Sequence, residues 1–412
     1  TLKSQTAALG EAMRSYRGFQ LPGIDMLCAY REFTTAKQAQ SAVHQYGREG
    51  MVSELYGVTG WDFDFRGHKI HGDWQAALGV TVRVQHLSWV SMKGEAKRDY
   101  PASINYQSPW WQDYAYVEDH FARLNTALTR GKPVVRVGVI HPVESYWLHW
   151  GPAEQTDGIR RQMDERFQSL TDWLVNGGVD FDFLCESLLP SQCPQGGAPL
   201  RVGEMAYDAV VVPGCETLRS TTLERLEAFQ RAGGRLIFLG DAPRYAEAKP
   251  DERGKRLYEQ SRHTEFSREA LLDALEPVRL IDIRDENGVR TDNLLHQLRQ
   301  DSDGLWLFLA HSREPYNNDV PTRQNIRLTV KGAYHAHIYD TLTGNILPAN
   351  AEIQGDKTVI RATLYDHDSL LLRLDHEPAL PRTETEGSAA SRPVNVPSLV
   401  HYVLDEPNAL LL

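Results

Sequence analysis

The chain has 412 residues, a prior of roughly two to four domains, and its hydrophobic fraction of 41% is ample for buried cores. A formal net charge of −11 with no basic run excludes a nucleic-acid partner, and no apolar run is long enough to span a bilayer. Four cysteines, Cys28, Cys185, Cys193 and Cys215, are too few and too scattered for a disulfide framework. Cys185 and Cys193 could pair, but two free thiols in a reducing compartment is the favoured reading, and the cytoplasm is weakly favoured. The chain opens Thr-Leu-Lys-Ser without a Met and closes on Ala-Leu-Leu-Leu. Both ends read as cut from something longer, so the compartment stays open.

Residues 1–17 are predicted helical from the spacing of Leu2, Ala8, Leu9, Met13 and Tyr16. Residues 24–28 read as a short strand carrying Asp25. A capping box over residues 35–38 opens a helix through Tyr46, and Gly47 closes it. A strand ending at Glu54 follows, then a helix over residues 68–78. Residues 80–84 form another strand, which delivers His86, Trp89 and Met92 into a long loop. Ser108 and Pro109 start the next helix in N-cap and N1 order, with Tyr114, Val117, Phe121, Leu124 and Leu128 on its apolar face. Strands alternating with helices imply parallel βα units. Three units do not close a barrel; they fit the last third of a (β/α)₈ barrel.

At Lys132 the pattern restarts. Residues 134–140, 181–184, 209–212 and 235–240 read as buried strands between helices, one opened by a capping box at 221–224. This is a doubly wound, flavodoxin-like α/β domain. From about residue 283 the helical period fades, and strands at 305–309, 326–330, 335–339 and 358–364 predict a small antiparallel β-sandwich. The expected organisation is a barrel part over 1–131, an α/β domain over 132–282 and a sandwich over 283–378. A solvated linker over 379–397 and the start of a further β-module over 398–412 complete it.

The stretch that organises the reading is residues 50–62. Met51 and Val52 run into Glu54, and Tyr56, Gly57, Gly60, Trp61 and Asp62 follow at once. The carboxyl end of a barrel strand reads this way when it carries a catalytic acid beside sugar-stacking aromatics. An arbitrary Glu at a strand end is a solvated surface residue; the aromatics and glycines around this one raise it.

Residues 53–57, 60–61 and 84–89, with 94–101 and Ser108-Pro109-Trp110-Trp111, resemble the end of a glycoside hydrolase barrel. The order of modules is similar to that of large bacterial α-L-rhamnosidase-like hydrolases, with an amidotransferase-like α/β domain after the barrel. More loosely it resembles bacterial β-galactosidases. The resemblance implies cleavage of O-glycosidic bonds in plant or microbial glycans. It implies Glu54 as nucleophile in a retaining enzyme or general base in an inverting one, because in many barrel glycosidases the next-to-last strand carries that group.

The second carboxyl stays open. Asp25, Glu32, Glu95 and Asp99 lie on barrel-top segments, each better explained as a hydroxyl acceptor, an ion-pair partner or a cap. Sugar-binding roles are expected for Asp25, Tyr56, Trp61, His86, Trp89, Arg98 and Asp99. A buried core histidine is an equal reading of His86, and a solvated charge cluster an equal reading of Lys97, Arg98 and Asp99. At least one of Trp110 and Trp111 is expected in the core. No organic cofactor is expected. His68 and His71 lack a ligand at zinc spacing, while calcium at clustered carboxylates is left open. A homo-oligomer is left open too. Two rival functions remain: a non-catalytic carbohydrate-binding or assembly fragment, and a glutamine amidotransferase using Cys215.

Overall fold

The computed structural model describes residues 1–26, 31–91, 93–94, 104–317 and 320–376. Its first sheet has three parallel strands in sequence order, β1 (Gly23–Asp25), β2 (Met51–Leu55) and β3 (Val80–Gln85). Five helices accompany them: α1 (Leu2–Ala8), α2 (Ala12–Tyr16), α3 (Phe33–Tyr46), α4 (Phe65–Ala77) and α5 (Ala115–Leu128). The predicted alternation of strand and helix is present, but no closed barrel forms among the described residues.

Local chemistry moved several element boundaries. The single helix expected over 1–17 is two helices, broken at Gly10, whose φ of 78° is open to glycine without strain. Helix α3 starts before the predicted capping box because the Glu32 carboxylate caps it, accepting from the Thr35 N–H at 2.9 Å. Its end is as expected: left-handed Gly47 donates to His44 O, and Arg48 donates to Val43 O. Helix α4 starts at Phe65, where Asp64 accepts from the N–H groups of Arg66 and Gly67. Ser108 and Pro109 precede a 3₁₀ turn, Trp111–Asp113, and α5 begins only at Ala115.

The second sheet has five parallel strands: Val137–Ile140, Phe181–Leu184, Ala209–Pro213, Arg235–Leu239 and Arg262–Thr264. Numbered along the chain, they lie in the order 2-1-3-4-5. That is a doubly wound arrangement with its switch point between the first and third strands. The strand expected over 134–140 begins only at Val137. Lys132–Pro133 pairs antiparallel with Arg299 and Gln300, so these two residues extend a different sheet. The helix Ser220–Arg231 has no side-chain cap where a capping box was expected.

Two antiparallel sheets of four and six strands follow, built mainly from residues 281–375. Their facing core includes Leu298, Leu307, Leu309, Leu328, Ile360 and Leu372. One larger core joins all three regions: Trp74 and Phe121 from the first, Phe181, Phe183 and Ile237 from the second, and Phe308 and Leu371 from the third.

Candidate functional site

Register partners on parallel strands point to the same face of a sheet, and successive residues alternate. Here Gly23, Val52 and Val82 form one row, and Asp25, Glu54 and Val84 another on the same face. Val82, Val84 and Asp25 are exposed. The opposite face is covered by α4 and α5. There Arg83 lies over the Phe121 ring at 3.8 Å and pairs with Glu118 at 2.7 Å. The sheet is therefore packed on one side and open on the other, and the carboxylates stand on the open side.

Glu54 is the penultimate residue of β2, with 45% of its side chain exposed. The backbone pairing continues one step past the strand ends: Met26 N–H donates to Glu54 O at 3.1 Å and His86 N–H to Leu55 O at 2.8 Å. This brings His86, 32 positions away in sequence (86 − 54), beside Glu54. Its Nε2 lies 3.8 Å from Glu54 Oε1. Its Nδ1 is buried and has no partner among the described residues. A Cβ on Gly57 would lie 2.7 Å from the His86 ring, so only glycine lets the loop after β2 pass there.

That loop is strained. Tyr56 (φ 71°) and Val58 (φ 59°) both occupy the left-handed region, at a cost of about 1–3 kcal/mol each. What holds the turn is Tyr56 itself. Its ring is wholly buried, its hydroxyl donates to His68 O at 3.0 Å, and its carbonyl accepts from Thr59 Oγ1 at 3.1 Å. Burial pushes its phenol well above the ordinary tyrosine range. Tyr56, expected to bind the sugar, is instead a buried peg: the left-handed backbone turns the ring into the packed side.

Trp61 is 48% exposed, and its ring centroid lies 6.2 Å from that of Trp89. Trp89 is buried, with its indole N–H unpartnered among the described residues. Trp110 is half-buried and packs on Phe65 at 5.0 Å, while Trp111 is exposed, so neither reaches the core. Glu32 is spent on capping α3. Met92, Glu95, Lys97, Arg98 and Asp99 lie outside the described residues.

His68 and His71 are buried, and burial lowers both to about 4, so they are neutral. Their rings contact backbone carbonyls of Asp64 at 2.8 Å and Met26 at 3.0 Å. Among the described residues no group of three His, Cys, Asp or Glu side chains is arranged to hold a metal ion.

Sequence reasoning missed two features here. One is a cleft of about 490 Å³ beside the Gly60–Asp64 loop, lined by Asp62, Asp64, Arg66, Glu314 and His367. The last two come from the sandwich region, and no spacing in the sequence links them to the loop. The other is a buried chain: Lys69 to Asp73 at 2.6 Å, Asp73 to His120 at 2.7 Å, and His120 to Thr341 Oγ1 at 2.8 Å. Burial opposes ionisation of Asp73, but Lys69 and His120 outweigh it and hold its carboxyl far below the usual range. Only the i,i+4 spacing of Lys69 and Asp73 was visible beforehand.

Cys215 follows the third strand of the five-stranded sheet and is fully buried. Burial first, then the charges of Glu186 and Glu144, push its thiol well above its ordinary value. Its hydrogen-bonding neighbour is the Ser145 hydroxyl. A thiol so placed is a poor nucleophile.

The class these features define is a mixed α/β protein, and comparison with solved structures bears on its fold. A rhamnosidase from Novosphingobium sp. PP1Y matches 91% of this chain with a TM-score of 0.67 at 18% identity. Gan42B, a GH42 β-galactosidase from G. stearothermophilus, matches 88% with a TM-score of 0.58 at 10% identity. An α-L-fucosidase (isoenzyme 2) from Paenibacillus thiaminolyticus matches 87% with a TM-score of 0.54 at 9% identity. At such identities the likeness is one of fold. The chain spans 36%, 60% and 65% of their respective lengths. No family model matches the sequence, and no curated protein matches it.

Proposed function

We propose that this chain is part of a glycoside hydrolase whose site is built on the open face of the three-stranded sheet. In this reading Glu54 is the nucleophile or the general base. Asp25, Trp61, His86 and Trp89 bind the sugar, joined by Arg98 and Asp99. The observation that carries it is the convergence of Glu54, Asp25 and His86 at adjacent ends of parallel strands, with the exposed Trp61 near Trp89 in the segments that follow them. Two buried ring nitrogens without partners, His86 Nδ1 and Trp89 Nε1, support it, because a ligand's hydroxyls would satisfy both. The uncovered Val52, Val82 and Val84 face is the face that a barrel packs inward, so further strands of a (β/α)₈ barrel would cover it. The substrate class is an O-glycoside of a plant or microbial glycan, with α-L-rhamnosides first, after the rhamnosidase of similar fold.

One observation favours a second reading, a non-catalytic carbohydrate-binding fragment. The Glu54 carboxylate accepts no hydrogen bond among the described residues, and its nearest ionic partner is His86 at 3.8 Å. A panel of aryl glycosides, α-L-rhamnoside and β-D-galactoside included, assayed with the longest protein that contains this chain, separates the two. Turnover of at least one supports the hydrolase. Sugar binding without turnover by the folded protein supports the second. Glutamine hydrolysis is not expected, given the buried Cys215 thiol.

A further inference from the structure

A cleft of about 390 Å³ opens at the carboxyl edge of the five-stranded parallel sheet, away from Glu54. Its walls are the segments just beyond the first, third, fourth and fifth strands, at Pro142, Gly214, Asp241 and Phe266, and one side of the helix Ala153–Asn176. In open α/β sheets this is where ligands bind, in the crevice beside the switch in strand order. The volume falls within the range of small-molecule sites, roughly 300–1,000 Å³.

The backbone makes room for an occupant. Gly214 (φ 58°) and Gly240 (φ 88°) end neighbouring strands, both in the left-handed region. A Cβ on Gly240 would lie 3.9 Å from the Gly214 Cα and 3.6 Å from the Phe266 ring. The two turns therefore sit against each other under one aromatic ring.

The charges at the mouth are unevenly satisfied. Glu216 is engaged twice, with Arg244 at 2.7 Å and His149 at 2.8 Å. Arg166 lies over the Phe266 ring at 5.3 Å and has no carboxylate partner among the described residues. Asp241 forms no hydrogen bond or ion pair among them either, and both residues are exposed. The same cleft is lined by the apolar Ile159, Met163, Phe167 and Leu170.

We propose that this cleft binds a small zwitterion, an α-amino acid with an apolar side chain, as a site separate from the glycosidase reading. A simple anion would meet Arg166 but also face Asp241, whose charge acts on Arg244 at the same mouth, and a simple cation would meet Asp241 but face both arginines. A ligand carrying both charges satisfies both. Its carboxylate accepts from the Arg166 guanidinium, its ammonium donates to Asp241, and its side chain lies on the apolar lining.

Calorimetry on the 412-residue chain at neutral pH tests this with L-leucine, N-acetyl-L-leucine, L-leucinamide and L-rhamnose as probes. Leucine should bind saturably. Arg166→Gln and Asp241→Asn should each weaken it about tenfold or more, as expected for loss of a charge-assisted pair. Leucinamide, which lacks the carboxylate, should be indifferent to Arg166→Gln. N-acetylleucine, which lacks the ammonium, should be indifferent to Asp241→Asn. On the unaltered protein both analogues should bind at least about tenfold more weakly than leucine, a comparison that does not depend on how the variants fold. Absence of saturable leucine binding overturns the proposal, as does leucine binding unchanged by both substitutions. Rhamnose binding that these substitutions abolish, without leucine binding, overturns it and makes the cleft a sugar site. No turnover is measured, so failure here is distinguishable from failure of the hydrolase reading.

Discussion

Asp25 and Glu54 are register partners on adjacent parallel strands, and both side chains stand on the uncovered face of the sheet. Neighbouring strands lie about 4.8 Å apart, so two carboxylates side by side can address one sugar. On the hydrolase reading proposed above, Glu54→Gln should keep fold and sugar binding. It should remove most of kcat, on the order of a hundredfold or more. Asp25→Asn should act mainly on KM, as for a hydroxyl acceptor. Steady-state kinetics on the best aryl glycoside reads both. Undiminished turnover by Glu54→Gln would end its catalytic role.

The two aromatics after Glu54 should separate cleanly. Trp61→Ala should weaken sugar binding and leave the unfolding midpoint almost unchanged, because the ring is half exposed. Tyr56→Phe should do the opposite. It removes the hydrogen bond to His68 O at a cost of about 1 kcal/mol and leaves KM alone. Urea unfolding beside a sugar titration checks the pair. A KM that rises with Tyr56→Phe at constant stability would return that residue to the cleft.

Asp73 should be among the most costly residues to truncate. It is buried, and its two oxygens hold Lys69 and His120. Asp73→Ala leaves both without their anion, at about 3–5 kcal/mol. A midpoint in urea displaced by less than a quarter of that would mean that water replaces the carboxylate.

Glu186 gives a pH dependence of determinate sign. Burial first, then the Glu144 charge, raise its carboxyl to about 8, while the unfolded chain titrates near 4.5. Between those values the unfolded state has released a proton that the folded state retains. Stability from this group is therefore highest below about pH 4.5 and declines as pH rises towards 8. Glu186→Gln removes the decline, so its melting temperature relative to the parent should climb from pH 5 to pH 8. A constant difference across that range would show that Glu186 ionises normally.

Much of the fold was legible because hydrophobic runs and glycines fix where strands and helices alternate. The strand ending at Glu54 and the strand over 80–84 appeared on composition alone, each one residue short of its observed end. The start of α3 was misplaced because Glu32 caps it, a residue type that rarely does so, while Thr35 offered a commoner signal. At the site, the approach of His86 to Glu54 followed from parallel topology. The row shared by Asp25 and Glu54 did not, because a one-residue slip in register would send each side chain to the opposite face. Tyr56 was misjudged because nothing in the sequence marks a left-handed tyrosine. Asp73 and His120 are 47 positions apart (120 − 73), and no local pattern connects them.

The seams between the three regions are polar. On one side of α3, His44 meets Asp182 at 2.9 Å and Gln38 meets His141 at 2.9 Å. Beyond α4 and α5, Lys69 donates to His367 O at 2.9 Å and Arg123 to Thr341 O at 2.9 Å. Lys132 and Pro133, where the sequence pattern restarts, are already a strand of the third region. Cutting the gene there would cut through a shared interior, and each piece would carry orphaned charges into water. A designer seeking to graft the Glu54 face onto another scaffold would have to transplant its neighbours with it, because the segments that look modular in the alphabet are, in space, a single casting.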